Sequence, residues 1–250
     1  HSPLEISRSE VVQKALVIGG GPSGMTAALA IANQGREVFL VEKEKTLGGN
    51  LANIHFLLDG DPKKLLSNLV AKVESHPMIS VYKQHSIDTI SGHVGNFTTK
   101  LSAPSNGNGG GTVVLNHGVT VVATGGAEVK PKLEFGKRAE IMTQNEFEEK
   151  LAAGDPVVKN AKNVVMIQCH GQRNEERPYC SKICCQSAIK NIIRFKDINP
   201  DSNAYVLYRD IRSYGFKELK FIEARDKGAI FIRFKDGETP VITQSGDRVR

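Results

Sequence analysis

A glycine-rich turn set between a strand and a helix limits the fold of this chain more than any other feature. Lys14 to Ile18 is a short apolar run, and Gly19-Gly20-Gly21-Pro22-Ser23-Gly24 follows it directly. A helix is expected from about Gly24 to Asn33, with Gly35 just past its end, and Glu37 to Val41 reads as a second strand. The result is a βαβ unit with GxGxxG at its first turn. In such a turn Gly19 permits the tight bend, Gly21 lets the backbone approach a pyrophosphate, and Gly24 allows close packing of helix on strand. The helix start offers free N–H groups and about half a positive charge to phosphates. Glu42, closing the second strand, is placed to accept ribose hydroxyls and to repel a 2′-phosphate. A glycine turn without a ligand is the plainer reading; strand, turn, helix and acid in this order weigh against it.

The rest of the chain continues in the same style. A helix is expected over Asp61 to Glu74, where Leu65, Leu66, Leu69, Val70 and Val73 share a face. Strands are expected at Ile79–Tyr82, Ile87–Ser91, Asn96–Leu101, Thr112–Leu115 and Val119–Ala123, with Ala103 to Gly111 a flexible polar tip. A polar helix, Gln144 to Ala152, and the turn Gly154-Asp155-Pro156 mark a boundary. Beyond it, strands at Val164–Gln168, Ala204–Tyr208 and Ala229–Phe234 alternate with helices at Ser181–Lys196 and Phe216–Lys227. That is βαβαβ again and a second parallel sheet. The fold class is therefore α/β, with a dinucleotide-binding domain over residues 1–155 and a second Rossmann-like unit over 156–250.

Composition excludes several classes. The 250 residues are 40% hydrophobic and 24% charged, as in an ordinary soluble protein. The net charge of +6 is scattered rather than gathered in a run, which argues against nucleic-acid binding. The longest apolar run, Ala27 to Ala32, is too short to span a bilayer, and no signal peptide is evident. A reducing cytoplasm is the expected compartment, where the four cysteines suggest metal or redox chemistry rather than disulfides.

FAD is separated from NAD by resemblance. Glu42-Lys43-Glu44-Lys45-Thr46-Leu47-Gly48-Gly49 resembles the stretch after the second strand in flavoproteins of the glutathione reductase and thioredoxin reductase class. Val119 to Gly125, ending Ala123-Thr124-Gly125, resembles the strand that ends beside the cofactor in that class. The resemblance implies an FAD site on Gly19, Gly21, Pro22, Ser23, Gly24, Glu42, Lys43, Gly48, Gly49, Asn50, Ile87, Ala123, Thr124 and Gly125, with the backbone at Ile87 meeting the adenine.

All four cysteines fall in one window, Cys169-x10-Cys180-x3-Cys184-Cys185. Cys169 stands at the carboxyl end of a strand and Cys184-Cys185 open the next helix, where an open parallel sheet binds its ligands. The turn reads Cys169-His170-Gly171-Gln172-Arg173, without GxGxxG, so a second nucleotide site is not expected. A helix start favours thiolates, and Arg173, Arg177 and Lys182 add positive charge. A 4Fe–4S cluster suits such a pocket; a zinc site and a dithiol or buried free cysteines stand as alternatives. His55, His76, His85, His93, His117 and His170 show no metal-ligand spacing.

The similarity widens beyond the glycine turn. Gly92-His93-Val94-Gly95-Asn96-Phe97, Ile167-Gln168-Cys169, Pro178 to Cys185, Ala188-Ile189-Lys190-Asn191, Tyr205 to Arg212, Ala224 to Gly228 and Phe231-Ile232-Arg233-Phe234 resemble the A subunit of heterodisulfide reductase and its relatives in anaerobic bacteria and archaea. This resemblance implies a thioredoxin-reductase-like scaffold with a β-meander. It also implies an oxidoreductase function: FAD relaying electrons between iron–sulfur clusters of partner subunits, with Cys169, Cys180, Cys184 and Cys185 at a 4Fe–4S centre. The ferredoxin-type cysteine runs that accompany family members, and the segment returning to the flavin domain, are not found here, which implies a fragment. An NAD(P)H-dependent disulfide oxidoreductase and a non-catalytic zinc scaffold are the competing expectations.

Overall fold

The structure, a computed structural model, describes residues 10–102, 112–130, 138–238, 240–245 and 248–249. The expected polar tip, Ala103 to Gly111, lies outside the described residues. The chain divides into two compact units, one of residues 1–52 and 62–126, the other of 53–61 and 127–250.

In the first unit, strands β1 (Lys14–Ile18), β2 (Glu37–Glu42), β3 (Ile79–Lys83) and β7 (Val119–Val122) form a parallel sheet in the order β3-β2-β1-β7. Helix α1 (Pro22–Ala32) joins β1 to β2, and α2 (Pro62–Ser75) leads into β3. A meander of β4 (Ser86–His93), β5 (Asn96–Ser102) and β6 (Val113–His117) makes a separate antiparallel sheet. Side chains alternate across a strand, so each parallel strand serves two cores. Ala15, Val17, Val38 and Leu40 bury against Met25, Ala28 and Val73 on the helices. Leu16 and Val41, on the other face, bury against Leu101 and Leu115 of the meander, with Ile18, Phe39 and Ile87 alongside. Helix α1 starts two residues earlier than expected, because Pro22 at its first turn has its φ set for a helix and needs no N–H partner.

In the second unit, the short helix α4 (Pro156–Lys159) leads into β8 (Asn163–Ile167), which forms a parallel sheet with β9 (Asn203–Tyr208) and β10 (Ala229–Arg233) in the order β10-β9-β8; helices α5 (Cys184–Ile198) and α6 (Glu218–Asp226) lie between the strands in sequence. Met166, Ala204, Val206 and Ala229 pack with Ala188, Ile189, Ile192, Phe195 and Ala224 of the helices. On the opposite face Val165, Ile230 and Ile232 are exposed. A short hairpin, β11 (Gln244–Ser245) and β12 (Arg248–Val249), follows.

Two boundaries differ from expectation. The units part at 126/127 rather than at 155/156, because Phe147 and Leu151 of α3 (Gln144–Ala153) belong to the second core. Thr143 and Glu146 close a reciprocal capping box on that helix. The excursion at residues 53–61 joins the same unit: Glu148 accepts the His55 and Phe56 N–H groups at 2.7 and 3.0 Å, and pairs with Lys190 at 2.7 Å. Helix α5 begins at Cys184, not Ser181, because Lys182 sits at φ +60°, where a right-handed helix cannot run. No helix among the described residues is long and apolar enough to cross a membrane.

His117 ties the meander to β7. Its ring is fully buried and stacks on Phe97. Nδ1–H donates to the Val119 carbonyl at 3.0 Å, so Nε2 accepts the Thr99 hydroxyl at 2.7 Å. Burial holds its pKa below the ordinary 6.5, against a smaller opposing effect of the Val119 carbonyl. The unfolded chain therefore takes up a proton that the folded one refuses. Stability from this group is full above 6.5 and is lost as the pH falls through the depressed folded value. Melting temperature is expected to drop between about pH 7.5 and about pH 5, and His117→Gln is expected to flatten that drop. An unchanged pH slope in the variant contradicts this role.

Candidate functional site: a nucleotide cradle and a cysteine window

The first candidate site is made of two glycine loops bonded to each other. Gly19 leaves β1 at φ +109°, and a Cβ there would lie 2.3 Å from the Ala123 carbonyl oxygen. A Cβ on Gly24 would lie 1.8 Å from the Gly19 carbonyl oxygen. Both glycines are therefore required by contact and not only by flexibility. The second loop, Gly48-Gly49, docks through Gly48 N–H onto the Gly20 carbonyl at 2.8 Å. Gly48 and Gly49 sit at φ +131° and +50°. Gly21 differs from the others. Its backbone is ordinary, at φ −74° and ψ 178°, and a Cβ there would meet nothing nearer than the Gly49 Cα at 3.9 Å. Helix α1 begins directly after Gly21, with an N-terminus that no side chain caps.

Glu42 is buried at 7% exposure and organises the turn. Its Oε2 accepts the buried Gly20 N–H at 2.6 Å, and its Oε1 accepts the Glu44 N–H at 2.8 Å. Its carbonyl accepts His85 N–H at 3.0 Å. Each carboxylate oxygen keeps a further lone pair for a hydroxyl donor. Asn50 Nδ2 donates to the Gly126 carbonyl at 2.8 Å, linking the second loop to the segment after β7. Ala123 N–H continues the ladder onto the Ile18 carbonyl, and Gly125 follows at φ +70°. The structure thus gathers Gly19, Gly21, Pro22, Ser23, Gly24, Glu42, Gly48, Gly49, Asn50, Ala123, Thr124 and Gly125 around one turn. Lys43 points elsewhere, pairing with Glu44 at the surface. Ile87 is half-buried on β4, packed on the Leu16 and Leu115 core and paired with Leu101.

The cysteine window stands on strained backbone. Cys169, Arg173 and Lys182 all have positive φ without being glycine, at 62°, 57° and 60°. Cys184 is held near a pKa of about 6, chiefly by a hydrogen bond from the Cys185 thiol and further by Ser181 and the Cys169 backbone. The same contact, with burial, pushes the Cys185 thiol well above its usual range. Cys185 Sγ also lies 3.6 Å from the Asp210 carbonyl, an alternative acceptor for its single S–H. Cys180 is engaged separately, accepting Lys182 N–H at 3.3 Å. Among the described residues no three His, Cys, Asp or Glu side chains converge closely enough to hold a metal ion. As placed, the four thiols do not form a ligand set.

Sequence reading placed Arg173 beside that window but missed Asp210 and the residues around it. Arg173 Nη1 donates to Asp210 at 2.6 Å and lies 3.9 Å from Cys169 Sγ. A cavity of 390 Å³ at the carboxyl ends of β9 and β10 is lined by Tyr208, Arg209, Asp210, Phe221 and Arg233 among others. The usable signal was position: Arg209-Asp210 follows β9 directly, at the strand ends where such sheets bind.

The fold is of the thioredoxin-reductase-like dinucleotide-binding type. Residues 15–103 match a family described as FAD dependent oxidoreductase. The chain has the fold of the thioredoxin reductase of T. acidophilum, with a TM-score of 0.52 at 14% identity, over 94% of this chain and 68% of that one. The similarity to the A subunit of heterodisulfide reductase extends over nearly the whole chain. In Methanosarcina acetivorans the A subunit of the Ferredoxin:CoB-CoM heterodisulfide reductase is 26% identical over 94% of this chain, which covers 45% of that protein. In Methanopyrus kandleri the first of the iron-sulfur A subunits of the CoB–CoM heterodisulfide reductase is 27% identical over 92% of this chain, which covers 48% of it. The chain thus spans about half the length of these relatives.

Without any nucleotide, Glu42→Ala strands the buried Gly20 N–H and is expected to cost about 1.5–3 kcal/mol in urea unfolding. An unaltered midpoint contradicts the bond's importance.

Proposed function

We propose that this chain is the FAD-binding, electron-transferring component of a heterodisulfide reductase-like oxidoreductase complex. The observation that carries this reading is the uncapped start of α1 just after Gly21, with the second glycine loop packed beside it at Gly49 and the Glu42 carboxylate holding the Gly20 N–H. The backbone N–H groups of Ser23 and Gly24 would take the pyrophosphate, and Glu42 the adenosine ribose. Bound there, FAD would supply reversible one- and two-electron redox chemistry. The residues' part is to bind and orient it: Gly48-Gly49 fix the second loop against Gly20, and Asn50 holds that loop to Gly126. Iron–sulfur subunits are the proposed partners, and the cytoplasm the proposed compartment.

A 4Fe–4S cluster on Cys169, Cys180, Cys184 and Cys185 is the finer proposal. Its support is the common window, the depressed Cys184 thiol, the nearby Arg173 and the relatives' iron–sulfur name. Seating it requires the 170–183 loop to rearrange so that all four thiols converge. Anaerobic reconstitution is expected to yield about four iron and about four sulfide per chain, both lost in Cys184→Ser. Zinc in place of iron, or no uptake, contradicts it.

The flavin site has a sharper test. Gly21→Val adds bulk at the start of α1 on a backbone that accepts a side chain, with its Cβ 3.9 Å from the Gly49 Cα. Wild-type chain is expected to take up one FAD, and the variant to melt at the same temperature with at least about tenfold weaker binding. Equal FAD affinity in both proteins, or none in the wild type, overturns the proposal.

A further inference from the structure

Three amide side chains meet inside the second unit where β8 ends. Gln168, 1% exposed, directly precedes Cys169; Asn191 lies fully buried in the middle of α5; Gln144 opens α3. Asn191 Nδ2 donates to the Gln144 backbone carbonyl, and Gln144 Nε2 donates to Gln168 Oε1, each at 3.1 Å. Among the described residues, three atoms are left buried with no partner: Gln144 Oε1, Gln168 Nε2 and Asn191 Oδ1.

The balance of donors and acceptors does not depend on how the amides are oriented. Turning Gln144 and Gln168 over together reverses their bond and still leaves one amide donor and one acceptor. Turning either alone sets like against like. Asn191 is fixed, because the Gln144 carbonyl takes only a donor. The trio therefore lacks one acceptor and two donors in every allowed arrangement. A carboxylate brings no donor, and an ammonium brings no acceptor. A water molecule brings both, in the right number.

We propose that Gln144, Gln168 and Asn191 hold one internal water, which accepts from the free amide N–H and donates to the two free carbonyl oxygens. Internal waters typically make about three hydrogen bonds to such groups. This one joins the first turn of α3 and the middle of α5 to the end of the strand that delivers Cys169. It positions the base of the cysteine window without touching the thiols.

Diffraction from crystals of the 250-residue chain is expected to show one enclosed solvent peak within about 3.2 Å of at least two of the three atoms. Amides bonded directly to protein groups, with no peak between them, overturn the proposal. Oxygen-17 relaxation dispersion offers a second reading. Long-lived internal waters are expected to fall by one from wild type to Gln168→Met/Asn191→Leu; an equal count in the folded variant overturns it. If the variant does not fold, the wild-type crystal decides alone.

Discussion

The buried hydrogen bond from the Gly20 N–H to the Glu42 carboxylate is the contact on which the first unit's architecture turns. It joins the loop after β1 to the end of β2, and Glu42 then reaches Glu44 with its other oxygen. Around it, the Gly19 turn presses against Ala123, Gly24 presses against Gly19, and Gly48 bonds to Gly20. Each of these approaches is too close for a side chain, so the turn is rigid before any ligand arrives. Gly21, in the same turn, is under no such pressure. Phosphates answer free N–H donors at a helix start, and vicinal hydroxyls answer a carboxylate acceptor.

The second unit repeats the strand order of the first but puts different chemistry at the corresponding turn. Cys169 follows β8 at positive φ, and arginines and Asp210 take the surroundings. The thiols of Cys184 and Cys185 share a hydrogen bond that favours charge on the first and opposes it on the second. One parallel sheet has helices on one face and a meander on the other. The other sheet has helices on one face and exposed Val165, Ile230 and Ile232 opposite them.

Much of this was legible from local pattern. β1 and β2 stand as apolar runs beside glycine and acid, and the GxGxxG spacing already placed Gly19, Gly24 and Glu42 in one turn. What escaped depends on contacts distant in sequence or on single torsions. Nothing in Ser181-Lys182-Ile183 signals that Lys182 turns left-handed and delays α5. The allegiance of α3 rests on Phe147 and Leu151 meeting Ile189 and Phe195. The bonds linking Gln144 to Gln168 and Asn191 span 24 and 47 positions and leave no local trace. Gly20 looked like a spacer between two required glycines, yet its N–H makes the shortest bond to Glu42.

Crystals grown with FAD test the central claim most directly. The nucleotide is expected with its pyrophosphate against the N–H groups that follow Gly21 and its adenosine ribose on the Glu42 carboxylate. Density for FAD elsewhere, or side chains folded into the space between Gly21 and Gly49 while the cofactor stays in solution, would contradict it.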